Sequence, residues 1–261
     1  MIVFPNAKIN IGLKVVEKRA DGFHNIESCF CPVPWHDALE VIESSKSNFN
    51  SSGLAIPGTG NICLDAYELL KKDFNLPAIS IHLHKNIPIG AGLGGGSADG
   101  AFMLMLLNEK FSLGLNTSQL QNYAGQLGSD CPFFIENKST YVEGIGDKFS
   151  SISIDLKGLF IAIIYPQIHV DTISAYKAII PAKPAYNLKN IIESKTIENW
   201  RDQLTNDFEI GADDNILQLK ERLYDKGALY ASMTGSGSAV YGLFRTATEV
   251  ESEYPKIIAQ L

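Results

Sequence analysis

Four cysteines in 261 residues are too few for a disulfide framework. Cys29, Cys31, Cys63 and Cys131 form no paired Cys-x-x-Cys zinc pattern either, so they read as buried thiols. Positive charge is in deficit: 22 Lys and Arg stand against 29 Asp and Glu, a formal net charge of −7. Nucleic acids and anionic membranes reward a basic surface, so neither is the expected partner, and an anionic ligand needs a local site. Long apolar runs are missing as well. The longest uncharged one, Leu159 to Tyr165, falls far short of the ~20 residues that span a bilayer. Lys8 and Asn10 interrupt the first apolar positions, so no secretory leader is read and a cytoplasmic location is expected. Sequons such as Asn116-Thr117-Ser118 are then chance matches. No internal repeat, heptad pattern or low-complexity tract is present.

What remains is the composition of an ordinary globular protein, 45% hydrophobic and 20% charged. Between Ile2 and Val16 the residues Ile9, Ile11, Leu13 and Val15 alternate with Lys8, Asn10, Gly12 and Lys14, the period of a half-buried strand. Asp21-Gly22 signals a hairpin turn, with Ile26 to Val33 returning and Ala38 to Glu43 as a third strand. The polar stretch Ser44 to Gly60 reads as a surface connection. Asn61 caps a helix through Phe74, and Ile79 to Ile87 reads as a strand. A helix over Ala98 to Leu107 is apolar on nearly every side and is expected to be buried. Another, Thr117 to Leu127, is expected to be capped by Thr117 and to end at Gly128.

After Asp147 the order changes to strand, helix, strand, strand, helix. The strands are Leu159 to Tyr165, Ala228 to Thr234 and Ser238 to Phe244; the helices are Asp171 to Ile180, Asp214 to Lys226 and Thr246 to Gln260. That order suits a ferredoxin-like α+β layer. A boundary is expected between residues 145 and 155, giving lobes 1–150 and 151–261.

The most informative stretch is Pro88-Ile89-Gly90-Ala91-Gly92-Leu93-Gly94-Gly95-Gly96-Ser97-Ala98, placed between a strand and a helix. Glycines let a backbone turn its N–H groups toward a ligand, and the following helix start adds about half a positive charge. Phosphate is the expected guest. The run formally contains GxGxxG, yet it follows about 80 residues of other structure rather than opening a dinucleotide fold. A P-loop needs Lys where position 96 is Gly. A third kind of phosphate loop is left, with a flexible connector as the plain alternative. Taken singly, Asp130 reads as an ordinary first-turn aspartate and Lys8 as a strand lysine. By the same token Gly235-Ser236-Gly237-Ser238 reads as a turn. His82 and His84 share a strand face without a third ligand, which fits surface histidines better than a metal site.

Together these residues resemble the GHMP kinases, the family of galactokinase, homoserine kinase and mevalonate kinase. Residues 88–98 are similar to its phosphate loop. Ala7-Lys8-Ile9-Asn10, Arg19 to His24, Gly128-Ser129-Asp130-Cys131-Pro132-Phe133 and Met233 to Ser238 follow in the expected order. The resemblance implies a two-lobed α+β fold, with a ribosomal protein S5 domain 2-like N-terminal lobe and a ferredoxin-like C-terminal lobe. It implies Lys8 and Asp130 as a catalytic pair, the carboxylate accepting a hydroxyl proton and the lysine stabilising developing charge. Residues 88–98 would wrap the phosphates of ATP, with Ser97 beside Mg²⁺.

Within the family, Phe23 and His24 resemble a cytidine-recognition segment, and Tyr176 stands where an aromatic partner is expected. The implied substrate is a small molecule, methylerythritol linked to cytidine diphosphate, phosphorylated at its 2-hydroxyl on the non-mevalonate route to isoprenoids. Asn10, Thr172, Gly235 and Ser236 would contact it. Position 23 is Phe where the family usually has Tyr, which keeps a stacking face and drops a hydroxyl. Ala91 and Ser238 replace the more common Gly and Ala. Other acceptors (homoserine, a sugar, mevalonate), a non-catalytic nucleotide-binding module and, more remotely, an NAD dehydrogenase stay open. A monomer or weak homodimer is expected, with no nucleic-acid or membrane partner.

Overall fold

The structure, a computed structural model, describes residues 1–58 and 60–261. In chain order its elements begin with β1 (Ile2–Val3), β2 (Asn6–Lys18), β3 (His24–His36), β4 (Ala38–Glu43), β5 (Asn48–Gly53) and α1 (Ile62–Lys71). They continue with β6 (Ile79–Lys85), α2 (Gly95–Lys110), α3 (Thr117–Leu127), the single turn α4 (Phe133–Glu136), β7 (Thr140–Glu143) and β8 (Lys148–Ser151). The last are β9 (Phe160–Ile164), α5 (Thr172–Ala178), α6 (Leu188–Ser194), α7 (Asp214–Asp225), β10 (Tyr230–Met233), β11 (Val240–Phe244) and β12 (Lys256–Gln260). They group into two compact units: Met1–Ala7, Trp35–Ile89 and Gly94–Lys138 form one, and Lys8–Pro34, Gly90–Leu93 and Ser139–Leu261 form the other. The units are interleaved in sequence rather than divided once near residue 150. The reason lies in strand pairing, because β3 joins β7 through Ser28↔Val142 to Phe30↔Thr140 and so draws the early hairpin to the later residues.

The first unit holds a sheet in the order β1-β4-β6-β5. Alternate residues of β4 and β6, Leu39, Val41, Ile79, Ile81 and Leu83, turn into one core with Tyr67 and Leu70 of α1, Met103 and Leu106 of α2, and Leu120 of α3. Each such side chain contributes about 1.5–3 kcal/mol by leaving water. Helix α2 is buried along most of its length, as its apolar circumference predicts. Gly100 keeps it close to α1, since a Cβ there would lie 2.8 Å from Ile62 Cγ1.

Asn61 caps α1, its side chain accepting the Cys63 N–H. On α3 the cap is Asn116 rather than Thr117: its carboxamide and that of Gln119 exchange hydrogen bonds with each other's backbone N–H. The expected surface connection at 44–60 contains a strand, β5, running parallel to β6. Thr59 of that stretch lies outside the described residues.

The second unit holds two antiparallel sheets, ordered β2-β3-β7-β8 and β10-β11-β9-β12. In the latter β9 lies between β11 and β12, which is the strand order of a split βαβ plan with α7 as its first helix. The second helix of that plan, expected over Thr246 to Gln260, is absent: residues 256–260 form β12 instead. Pro255 explains the difference, because its ring cannot continue a helix and its carbonyl accepts the Tyr165 N–H at 2.9 Å. Leu13, Val15 and Ile26 share a core here with Ile216, Leu219 and Leu223 of α7 and with Ala162 and Ile164 of β9.

Candidate active site

The glycine loop runs from Pro88, which is buried, and Ile89, which is exposed, to the start of α2 at Gly95. Gly90, Gly92 and Gly94 adopt φ of 70°, 80° and 69°, the left-handed region that glycine enters without a steric penalty. Gly94 stands at the N-cap with no side-chain hydrogen bond to the helix, and the first intrahelical bond is Ala98 N–H to Gly94 C=O at 2.9 Å. The N–H groups of Gly95, Gly96 and Ser97 therefore precede the helix ladder, the arrangement that receives an anion.

The middle of the loop is fastened within the second unit by two backbone hydrogen bonds and by the Thr234 hydroxyl, which donates to Gly92 C=O at 3.2 Å. The Lys8 N–H donates to Leu93 C=O at 2.9 Å, and the Ala239 N–H donates to Ala91 C=O at 3.1 Å. Gly92 and Gly235 lie back to back: a Cβ on Gly92 would fall 2.0 Å from the Thr234 carbonyl oxygen, and one on Gly235 would fall 3.0 Å from Gly92 Cα. The turn at 234–237 is thus a second glycine surface laid on the first.

Strand β2 carries Lys8 and Asn10 inward, both nearly inaccessible at 3% and 1% exposure. Lys8 Nζ donates to Asn10 Oδ1 at 2.7 Å and lies 4.5 Å from the centroid of the Phe30 ring. Asn10 Oδ1 also accepts the Thr234 hydroxyl at 3.2 Å and the Gly235 N–H at 3.0 Å, while its Nδ2 donates to Ser28 Oγ at 2.9 Å. Asn10, expected to touch substrate, hydrogen-bonds protein groups through its carboxamide and couples Lys8 to the 234–237 turn.

Asp130 sits half-buried in the turn between α3 and α4. Its neighbour Cys131 is buried within reach of the Ser97 hydroxyl, and burial foremost pushes that thiol up to about 11, with Ser97 opposing and Asp130 adding to the rise. Ser97 and Asp130 therefore flank one inert thiol in the first unit. Among the described residues no group of three His, Cys, Asp or Glu side chains could hold a metal ion. His82 and His84 both hydrogen-bond Ser52 Oγ on β5, at 2.9 and 3.0 Å.

The expected base-recognition residues also lie in the second unit. His24 stacks on Tyr176 with ring centroids 4.9 Å apart and planes 21° from parallel. Phe208 meets Tyr176 edge-on at 4.8 Å. Phe23, expected with His24 to recognise the cytidine, is 59% exposed near the hairpin tip, and the ring stacked on Tyr176 is that of His24. Burial, helped by Lys18, lowers the pKa of His24. One turn from Tyr176, Thr172 shares a 3.0 Å hydroxyl contact with Ser236, which brings α5 to the second glycine turn.

Sequence reading missed a buried cluster in the first unit. Lys85, the last residue of β6, pairs with Asp37 and, at 2.7 Å, with Asp99 of α2; all three are at most 3% exposed. Burial opposes the Lys85 charge, but the two carboxylates outweigh it and raise its pKa. Burial foremost, with Asp37 adding and Lys85 opposing, pushes Asp99 up to about 7. The sequence signal is weak, because Asp99 lies 14 residues from Lys85 and Asp37 enters from 48 residues away.

A strand, a glycine loop and a buried helix, with a lysine strand fastened to the loop and an aspartate turn in the same chain, define a small-molecule kinase. The chain belongs to the GHMP kinase family: residues 61–138 match the model of the GHMP kinases N terminal domain, and residues 198–260 match that of the GHMP kinases C terminal. It is 50% identical over 253 residues to the 4-diphosphocytidyl-2-C-methyl-D-erythritol kinase of Bacteroides thetaiotaomicron, covering 94% of this chain and 92% of that protein. The enzyme of the same name from Azobacteroides pseudotrichonymphae is 48% identical over 251 residues, with 94% of each covered. A crystal structure of 4-(cytidine 5'-diphospho)-2C-methyl-D-erythritol kinase superposes with a TM-score of 0.79 at 28% identity, covering 93% of this chain and 90% of that one.

Proposed function

We infer that this chain transfers the γ-phosphate of ATP to the 2-hydroxyl of 4-diphosphocytidyl-2-C-methyl-D-erythritol, a step of non-mevalonate isoprenoid precursor synthesis. The observation that carries the reading is the identity of about half its residues, over 94% of the chain, to kinases of that name, with Lys8, the glycine loop and Asp130 all present in the sequence.

Phosphoryl transfer through a loose transition state asks for positioning and charge neutralisation more than for covalent chemistry. Residues 88–98 wrap the phosphates, with the N–H groups of Gly95, Gly96 and Ser97 at the α2 N-terminus turned to them. Asp130 takes the proton of the 2-hydroxyl as its oxygen bonds to the γ-phosphorus; the bond from that phosphorus to the β-γ bridging oxygen breaks, and ADP leaves. Lys8, held by Asn10 and the Phe30 ring, is a fixed positive charge for the oxygens that gain negative charge. His24 and Tyr176 receive the cytosine, with Phe23 as an exposed second face; base stacking contributes about 1–3 kcal/mol. Thr172, Gly235 and Ser236 bind the diphosphate and methylerythritol portion.

Mg²⁺ accompanies the nucleotide in this reading. A single hydroxyl at a helix start, Ser97, fits an ion that keeps its waters and phosphate ligands rather than a closed protein cage. When bound, the ion neutralises phosphate charge.

A coupled assay of ADP release with this substrate tests the function. Asp130→Asn is expected to lower kcat by about a hundredfold or more, with the KM for ATP little changed. Unchanged turnover would remove Asp130 from the role of base.

A further inference from the structure

Most of the loop's rigidity has to come from outside it. Three of its residues, Gly90, Gly92 and Gly94, hold left-handed conformations, and glycine loses more conformational freedom on ordering than any other residue. An unpinned loop would spend part of the nucleotide's binding energy on being ordered. The middle of the loop is held within the second unit, through Ala91, Gly92 and Leu93. Its two ends converge on the buried cluster of Asp37, Lys85 and Asp99.

At the entering end, Asp37 Oδ1 accepts the backbone N–H groups of Asn86 at 2.6 Å and Ile87 at 2.8 Å, the two residues before Pro88. At the leaving end, Asp99 stands one turn into α2, and its Oδ2 accepts from Lys85 Nζ at 2.7 Å. Lys85 Nζ also donates to Asp37 Oδ2, so one ammonium ties the strand end to the helix start. Gly95 rests directly on this tie: a Cβ there would lie 3.0 Å from Lys85 Nζ and 2.8 Å from Ile87 Cγ2. Stability alone does not account for such a cluster. Two carboxylates share one ammonium away from water, Asp99 Oδ1 has no hydrogen-bond partner among the described residues, and apolar replacements of buried ion pairs are often neutral or stabilising.

We propose that the Asp37–Lys85–Asp99 cluster is a positioning device for the nucleotide phosphates, holding the two ends of the glycine loop at the separation the phosphate chain requires. The proposal rests on reading residues 88–98 as the ATP cradle. Asp37, Lys85 and Asp99 touch neither substrate; they act through the backbone of residues 86–87 and 95–99.

The test compares the wild-type protein with two variants, using calorimetric binding of a non-hydrolysable ATP analogue, the KM of each substrate and amide hydrogen exchange over residues 88–98. Lys85→Met/Asp99→Leu removes the tie without stranding a lone ammonium, and Asp37 keeps its two backbone partners. Asp99→Asn is nearly isosteric and serves if the double variant folds poorly. The analogue's Kd and the KM for ATP are expected to rise about tenfold in the double variant and less in Asp99→Asn, with faster exchange across the loop. The KM for the diphosphocytidyl substrate stays within about twofold, a split that general loosening would not give. Normal analogue binding to the wild-type protein with unchanged variant affinity, or equal losses in both KM values, overturns the proposal. An analogue that leaves the wild-type loop amides unprotected overturns the cradle reading, and the proposal with it.

Discussion

Lys8 shows what a single residue discloses and what it hides. Its place on an alternating strand was readable, since Ile9 and Ile11 point the other way, but its surroundings were not. Asn10 lies two residues off, whereas Thr234 and Gly235, which complete the network, lie 224 and 225 residues beyond Asn10. His24 is a similar case. Its neighbourhood pushes its pKa below the usual histidine value near 6.5, through burial and then Lys18. The neutral ring is therefore the form folding favours, and that preference, present above the ordinary value, is lost as pH falls through the lowered one. If neutral His24 stacks and hydrogen-bonds the cytosine, the KM for the diphosphocytidyl substrate should rise as pH falls through that lowered value, while the KM for ATP stays level. Steady-state kinetics from pH 5 to 8 read this, and His24→Gln should flatten the profile; a rise that persists in that variant would assign the effect elsewhere.

At the scale of elements, local pattern succeeded where one chemistry ruled and failed where a distant partner decided. Strand β4 and the body of α2 follow from their apolar spacing. Strand β5 does not, because Asn48, Ser51 and Ser52 carry no hydrophobic alternation; what orders it is parallel pairing to β6, with Asn48 Oδ1 accepting from Ser80 Oγ at 2.6 Å. Val250, Tyr254 and Ile258 recur at helical spacing in the segment that ends as β12, and Pro255 among them decides against a helix. The glycine loop was legible as a phosphate loop, but not its docking on the 234–237 turn. That docking makes its glycines unequal. Gly92→Ala would place a methyl 2.0 Å from the Thr234 oxygen at φ 80°, whereas the same change at Gly96 meets open space. Chemical denaturation should show Gly92→Ala losing more than about 2 kcal/mol and Gly96→Ala losing little. Comparable losses would mean the two turns do not touch as described. Helix α5 offers a matching case, since Phe208 sets the plane of Tyr176 edge-on. Phe208→Leu should raise the KM for the diphosphocytidyl substrate several-fold, about what one stacked base contributes, and leave the KM for ATP unchanged.

For the whole molecule, sequence order suggested lobes 1–150 and 151–261, because the character of the elements changes near Asp147. Chain order is a poor guide here, since a strand pairs with whatever edge matches it. The hairpin of β2 and β3 is made early yet pairs with β7 and supplies Leu13, Val15 and Ile26 to the core that Ile216, Leu219 and Leu223 of α7 also fill. Asp207 adds to the bond by accepting the Val15 N–H at 2.9 Å and pairing with Lys14 at 2.7 Å. A chain cut at 150 would therefore leave residues 151–261 with one face of α7 and β9 uncovered, and residues 1–150 with a hairpin whose apolar face has lost its partner. Burying those three side chains is worth about 1.5–3 kcal/mol each, comparable in sum to the 5–15 kcal/mol that holds a whole domain folded. Residues 151–261 alone should give no cooperative thermal transition by circular dichroism, while mixing them with residues 1–150 should restore one together with ADP release. A cooperative transition in 151–261 alone would show that the later residues form a self-sufficient domain, and that the early hairpin is an addition to it rather than part of its core.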